Sequence, residues 1–149
     1  MRRAVPFLLV LILGIVIGGM LFSKTVQRSF LAVHICEKDC LELKDLAGPL
    51  GSLGILHTPS LLPFLEAQSA ECVAVRHPKP EGRFHLVFLP KRDVRNVLEL
   101  TPEDIPFLAG CLALAREQVA KAGISNYRLV TNGPELHHVT YFHFHVIAK

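Results

Sequence analysis

The stretch HHVTYFHFHVIA, residues 137–148, decides the fold. It is aromatic and β-branched, holds no glycine or proline, and predicts a long strand. Side chains on a strand alternate between faces. Tyr141, His143, His145 and Ile147 therefore share one face, and Phe142, Phe144 and Val146 the other. The phenylalanine face is suited to a core covered by a helix. The histidine face sets two imidazoles about 7 Å apart on a sheet surface. The residues alone leave three readings open. The histidines are solvated or simply hydrogen-bonded, or they form a metal pair, or one is a nucleophile whose neighbours orient and protonate.

Upstream, YRLVTN (127–132) predicts a strand broken by Gly133-Pro134. A helix start is written in Thr101-Pro102-Glu103-Asp104, which combines a hydroxyl cap, an early proline and first-turn acids. The helix carries Leu108, Leu112, Ala115 and Val119 at three- and four-residue steps and ends near Ala122, before Gly123. RFHLVFL (83–89), stopped by Pro90, and ECVAVRH (from Glu71) predict two strands joined by the turn HPKPEG (77–82). Residues 46–63 hold Gly48-Pro49, Gly51, Gly54, Pro59 and Pro63 and predict loops and turns. Strands, then a helix, then strands imply an α+β domain, an antiparallel sheet crossed by one main helix.

Three stretches together resemble the histidine-triad (HIT) family of nucleotide hydrolases and transferases. They are His85-Leu86-Val87-Phe88-Leu89-Pro90-Lys91, Asn132-Gly133 after the next strand, and Tyr141-Phe142-His143-Phe144-His145-Val146-Ile147. The likeness covers roughly residues 70–148. It implies a HIT-like antiparallel sheet and assigns roles by position. His143 stands where the family's nucleophile stands and would attack the α-phosphorus of a nucleotide, giving a phosphohistidine. His145 would bind the phosphoryl oxygens. His85, Asn132, Tyr141 and His138 would line the substrate side. The resemblance requires no metal and no cofactor. Neutral imidazole is a competent nucleophile near neutral pH.

The departures are informative. Tyr141 replaces the first triad histidine, and a phenol cannot carry the same proton traffic. His77 falls where the family usually has an acid for the ribose hydroxyls. Leu136-His137-His138 replaces the usual Gly-Gln segment; His137 and His138 either replace the missing contacts or, as the favoured expectation, are exposed turn residues. The attacking apparatus is thus kept while recognition is altered. Three functions follow as expectations, the last-ranked being a metal-binding module that uses His143, His145 and His85. The first is a membrane-anchored phosphoester or phosphoramidate hydrolase or nucleotidyl transferase. The second is a weakly active or inactive HIT domain acting as an accessory subunit of a membrane complex.

The membrane enters through AVPFLLVLILGIVIGGMLF, residues 4–22, which is uncharged throughout. At about 1.5 Å per residue it would extend roughly 28 Å, near the thickness of a bilayer core. It predicts a single transmembrane helix within residues 1–28, followed by a HIT-like domain over 29–149. Residues 23–44 are expected to continue the helix before breaking. Gly14 and Gly18 form a step at which another helix, of a homodimer or an integral partner, could pack. Arg2 and Arg3 against Lys24, Arg28 and Lys38 give a slight preference for the domain outside the cytosol.

The net charge of +3 is small, and its densest cluster, Lys91-Arg92-Asp93-Val94-Arg95, is interrupted by an acid. No nucleic-acid partner is implied. Of the four cysteines, Cys36 and Cys40 are the candidates for a disulfide outside the cytosol or, with His34 and His57, for zinc. Cys72 and Cys111 are read as small core residues.

Overall fold

The computed structural model describes residues 4–26 and 43–149, with side chains from 6 and from 47 in the two stretches. Five strands form one antiparallel sheet. They are β1 (Leu65–Gln68), β2 (Cys72–Arg76), β3 (Phe84–Pro90), β4 (Arg128–Val130) and β5 (Phe144–Ala148), in the order β1-β2-β3-β5-β4. Among the described residues three α-helices accompany them: α1 (Ala4–Phe22), α2 (Leu43–His57) and α3 (Ile105–Lys121). The architecture is the HIT-like α+β sheet with one main helix across it.

That helix is α3. Its start is held by Thr101, whose N–H and Oγ1 both donate to Asp104 Oδ2, at 2.9 and 2.8 Å. Gly123 ends it in the left-handed region, at φ 64°. The buried stripe is Cys111, Leu114, Ala115, Gln118 and Val119. Leu112, expected on that stripe, is 51% exposed. One residue of rotation, about 100°, turns it away from the sheet. The stripe packs on Cys72 and Ala74 of β2, Leu86 and Phe88 of β3, and Phe144 and Val146 of β5. Phe88 and Phe144 lie opposite in register, and their rings stack with centroids 5.2 Å apart. Gly110 permits the close approach, since a Cβ there would lie 2.5 Å from Glu71 Cβ.

Cys72 and Cys111 form a disulfide across this layer, with Cα atoms 5.0 Å apart. The reading of both as plain core residues is corrected. Their pairing depends on where α3 crosses β2, a tertiary relation between residues 39 apart in the chain.

The last strand is shorter than its composition predicts. Its ladder begins at Phe144, because the preceding backbone bonds elsewhere. Phe142 N–H donates to the Val94 carbonyl at 2.6 Å and Tyr141 N–H to the Val139 carbonyl at 2.8 Å. The alternation of faces nonetheless extends upstream of the ladder. Phe142 joins the core beneath α3, while Tyr141 joins Ile55 and Val73 on the opposite side.

That opposite side is covered in part by α2, which corrects the loop expected over residues 46–57. Glycine and proline are poor helix formers, and Pro49 sits inside the helix. Tertiary burial overrides this: Ser52 is 0% exposed and Ile55 3%. Strand β1 was also not legible in the sequence.

Helix α1 is apolar on every side. Phe7 is 77% exposed, Val10 69%, Ile15 65% and Met20 70%. Among the described residues, no helix is long and apolar enough to cross a membrane. The span expected over residues 4–22 is therefore not supported by the structure. Among the described residues, a Cβ at Gly14 or Gly18 would meet nothing within 4 Å. Beyond α1 the chain is tied to the domain, as Val26 N–H donates to Asp93 Oδ2 at 2.7 Å. His57 Nε2 lies 3.0 Å from the Leu21 carbonyl. Cys36, Cys40 and His34 lie outside the described residues, as does most of the continuation expected over 23–44.

Candidate active site

A hollow of about 760 Å³ lies between the sheet and α2. His77, His85, His143 and His145 line one end of it, with Asn132 and the exposed His138. His85 comes from β3 and His145 from β5. Val87 faces His145 in register, so the two histidines meet on the diagonal. His143 stands just before β5 and is half-buried. The ring centroids of His143 and His145 are 5.1 Å apart, as are those of His85 and His145. His77 stacks on His85 with centroids 4.2 Å apart and planes 1° from parallel.

The backbone sets the tautomers. Glu81 N–H donates to His85 Nδ1 at 3.1 Å, so that nitrogen holds a lone pair. Neutral His85 then carries its proton on Nε2 and donates to His145 Nδ1 at 2.9 Å. His145 in turn carries its proton on Nε2. That nitrogen is buried and has no hydrogen-bond partner among the described residues, which makes it a donor ready for an anionic oxygen. His143 is held differently. Its Nδ1 lies 2.7 Å from the Tyr141 carbonyl and must donate to it, which leaves the lone pair on Nε2.

Burial lowers the pKa of His143 first of all, against the raising effect of its bond to the Tyr141 carbonyl. Its lone pair is therefore available at neutral pH. His145 is lowered to about 4, by burial first and then by His143 and His85. His85 is lowered by burial and then by His77. Each ring resists protonation in the native state, whereas the unfolded chain takes up protons near pH 6.5. The stability this gives is complete above about pH 6.5 and is lost as pH falls toward about 4. Urea midpoints should therefore drop between pH 7.5 and pH 4.5, and His145→Gln should flatten the drop. Equal pH slopes in the two proteins would refute this account of the cluster.

Tyr141 is 0% exposed and donates its hydroxyl to the Pro90 carbonyl at 2.5 Å. It borders the hollow, but that hydroxyl is engaged with backbone. His137, expected as an exposed turn residue, is 5% exposed. Its Nε2 lies 2.7 Å from the Asn132 carbonyl, and its ring centroid is 5.4 Å from that of His143. The structural roles of His77 and His137 escaped sequence reasoning. The one signal was their type, imidazole at positions where the resemblance has other residues.

His77, His85 and His145 each bring a ring nitrogen within 4.8 Å of the others, a spacing that a metal could draw together. The tautomers oppose it. A metal on His85 Nε2 would need that lone pair and would force a proton onto Nδ1, against the Glu81 N–H. Metal-bound histidines normally donate from the second nitrogen to an acceptor. The cluster fits an anion better than a cation.

Sheet order, crossing helix and clustered imidazoles define a histidine-triad domain. The family described as "Scavenger mRNA decapping enzyme C-term binding" matches residues 61–149, and the chain belongs to it. An uncharacterized HIT-like protein of Synechocystis is 33% identical over 76 residues, which are 50% of this chain and 67% of the relative. Among solved structures, a HIT family hydrolase of Clostridium thermocellum superposes with TM-score 0.60 at 21% identity. The match covers 67% of this chain and 89% of that one. A HIT family hydrolase of Legionella pneumophila gives 0.58 at 23% identity over 63% and 88%. These two likenesses concern the fold.

Proposed function

We propose that the domain breaks phosphoester, phosphoanhydride or phosphoramidate bonds through a covalent intermediate on His143. The observation that carries this reading is the pairing of two opposite ring nitrogens in one hollow. His143 offers a lone pair on Nε2, fixed by the bond from Nδ1 to the Tyr141 carbonyl. His145 offers an N–H that is unpaired among the described residues.

Nε2 attacks phosphorus and forms a P–N bond as the bond to the leaving group breaks. The leaving group takes its proton from water in the hollow. Positive charge grows on the imidazole and is stabilised by the Tyr141 carbonyl. Negative charge on the non-bridging oxygens is met by His145 Nε2–H. Its direction is set through His85 by the Glu81 N–H. Donors held in place before reaction lose little to reorganisation. Water then attacks phosphorus, its proton passing to the hydroxide left by the first step, and the P–N bond breaks to release His143. The test is turnover by the purified chain on a panel of nucleoside and alkyl phosphoanhydrides and phosphoramidates. A folded protein that turns over none would leave the accessory-subunit reading instead.

The same reading includes attachment to a membrane through α1. A helix with exposed apolar side chains on every side is a poor match for water. The Cys72–Cys111 disulfide supports a domain facing an oxidising compartment. After cell fractionation the chain should sediment with the membranes, and its recovery in the membrane-free supernatant would refute attachment.

A further inference from the structure

The hollow has two unlike ends. Beyond the imidazoles it is walled by Ala47, Gly51 and Ile55 of α2 and by Leu62, Leu89 and Val139. The three α2 residues recur every fourth position, so one stripe of that helix faces the hollow. Gly51 belongs to the stripe, and a Cβ built there would meet nothing within 4 Å. Among the described residues the glycine thus keeps room open rather than permitting a contact.

We infer that the phosphate group handled at His143 carries an apolar chain, which lies along the α2 stripe in this second compartment. The inference rests on the phosphoryl reading above and adds the chemical class of the substrate, an amphiphilic organic phosphate. A nucleoside suits the compartment less well. A nucleobase has polar edges that lose water on burial and need partners. No residue of the α2 stripe, nor Leu62, Leu89 or Val139, carries a side-chain donor or acceptor. The Tyr141 hydroxyl nearby already donates to Pro90. A ribose diol would favour a carboxylate. Among the described residues lining the hollow, the one carboxylate is Glu81, and it is engaged by Arg128 at 2.9 Å. The apolar α1 adjoins the same helix, through His57 and the Leu21 carbonyl, as suits a protein that meets its substrate in an apolar phase.

The experiment measures binding to the full chain, kept in a bulky sterol-based detergent. Methyl, butyl, hexyl and octyl phosphate are titrated, with AMP for comparison. Affinity should rise roughly fourfold for each CH₂ that enters the compartment. Hexyl phosphate should bind more tightly than AMP. Gly51→Leu should cancel the gain beyond butyl and leave methyl phosphate unchanged. The series in the unaltered chain decides the matter even if that variant fails to fold. Methyl phosphate bound with no gain from chain length, or AMP bound more tightly than hexyl phosphate, overturns this inference and leaves the phosphoryl reading standing. No binding of any phosphate overturns both.

Discussion

Replacing His143 with alanine should abolish turnover, with kcat/KM falling on the order of 10⁴-fold or more, as for other covalent nucleophiles. At about 1.36 kcal/mol per decade this removes more than about 5 kcal/mol of transition-state stabilisation. The loss should be specific. His143 is half-buried, and its ring is held by a hydrogen bond to the Tyr141 carbonyl, so folding should survive. The check is a rate measurement beside a circular dichroism melt. His145→Ala should reduce the rate less. It removes one donor to the phosphoryl oxygens, and a single such donor is worth on the order of 10²–10³-fold. Equal activity of His143→Ala and the parent would exclude attack by this ring.

The second large effect concerns stability. The Cys72–Cys111 bond closes a loop between residues 39 apart. A loop of that length contributes about 4 kcal/mol by restricting the unfolded chain. Both sulfurs lie at the contact of β2 with α3, in the core cluster that also holds Phe88 and Phe144. Replacing both cysteines by alanine should lower stability by about 3–4 kcal/mol, close to the whole margin of many small domains. Urea denaturation, with and without prior reduction, measures it. Reduction of the parent should reproduce much of the loss, and an unchanged midpoint would mean that the bond adds nothing.

Much of the sheet was legible because its strands carry local signals. Phe84–Pro90 and Cys72–Arg76 are apolar runs bounded by proline and glycine, and α3 has both its cap and its glycine stop. The faces of the last strand were readable from period two alone. Where sequence reading failed, the deciding contact was distant in the chain. Helix α2 contains Pro49 and four glycines or prolines in all. It stays helical while Ser52 and Ile55 are buried. The disulfide needed the crossing of α3 over β2. The ladder at Phe144 starts late because Phe142 is drawn to the Val94 carbonyl.

The site divides the same way. The identities of His85, His143 and His145 stood out as imidazoles on otherwise apolar strands. Their tautomers did not, because they are written in backbone groups, the Glu81 N–H and the Tyr141 carbonyl. His137 read as a turn residue, and its burial against Asn132 required the fold. The two-ended hollow was equally hidden, since Ala47, Gly51 and Ile55 of its wall stand on a helix that composition reads as loop.

The central claim is that the Nε2 lone pair of His143 forms a bond to phosphorus. Its most direct test is to mix the chain with a slowly hydrolysed organic phosphoanhydride, quench at alkaline pH to preserve P–N bonds, and map the adduct by mass spectrometry. The account predicts one adduct, on the ring of His143, absent from His143→Ala and accumulating before product release. An adduct on His145 or His85, or product formed with no adduct at any time while turnover proceeds, would contradict it.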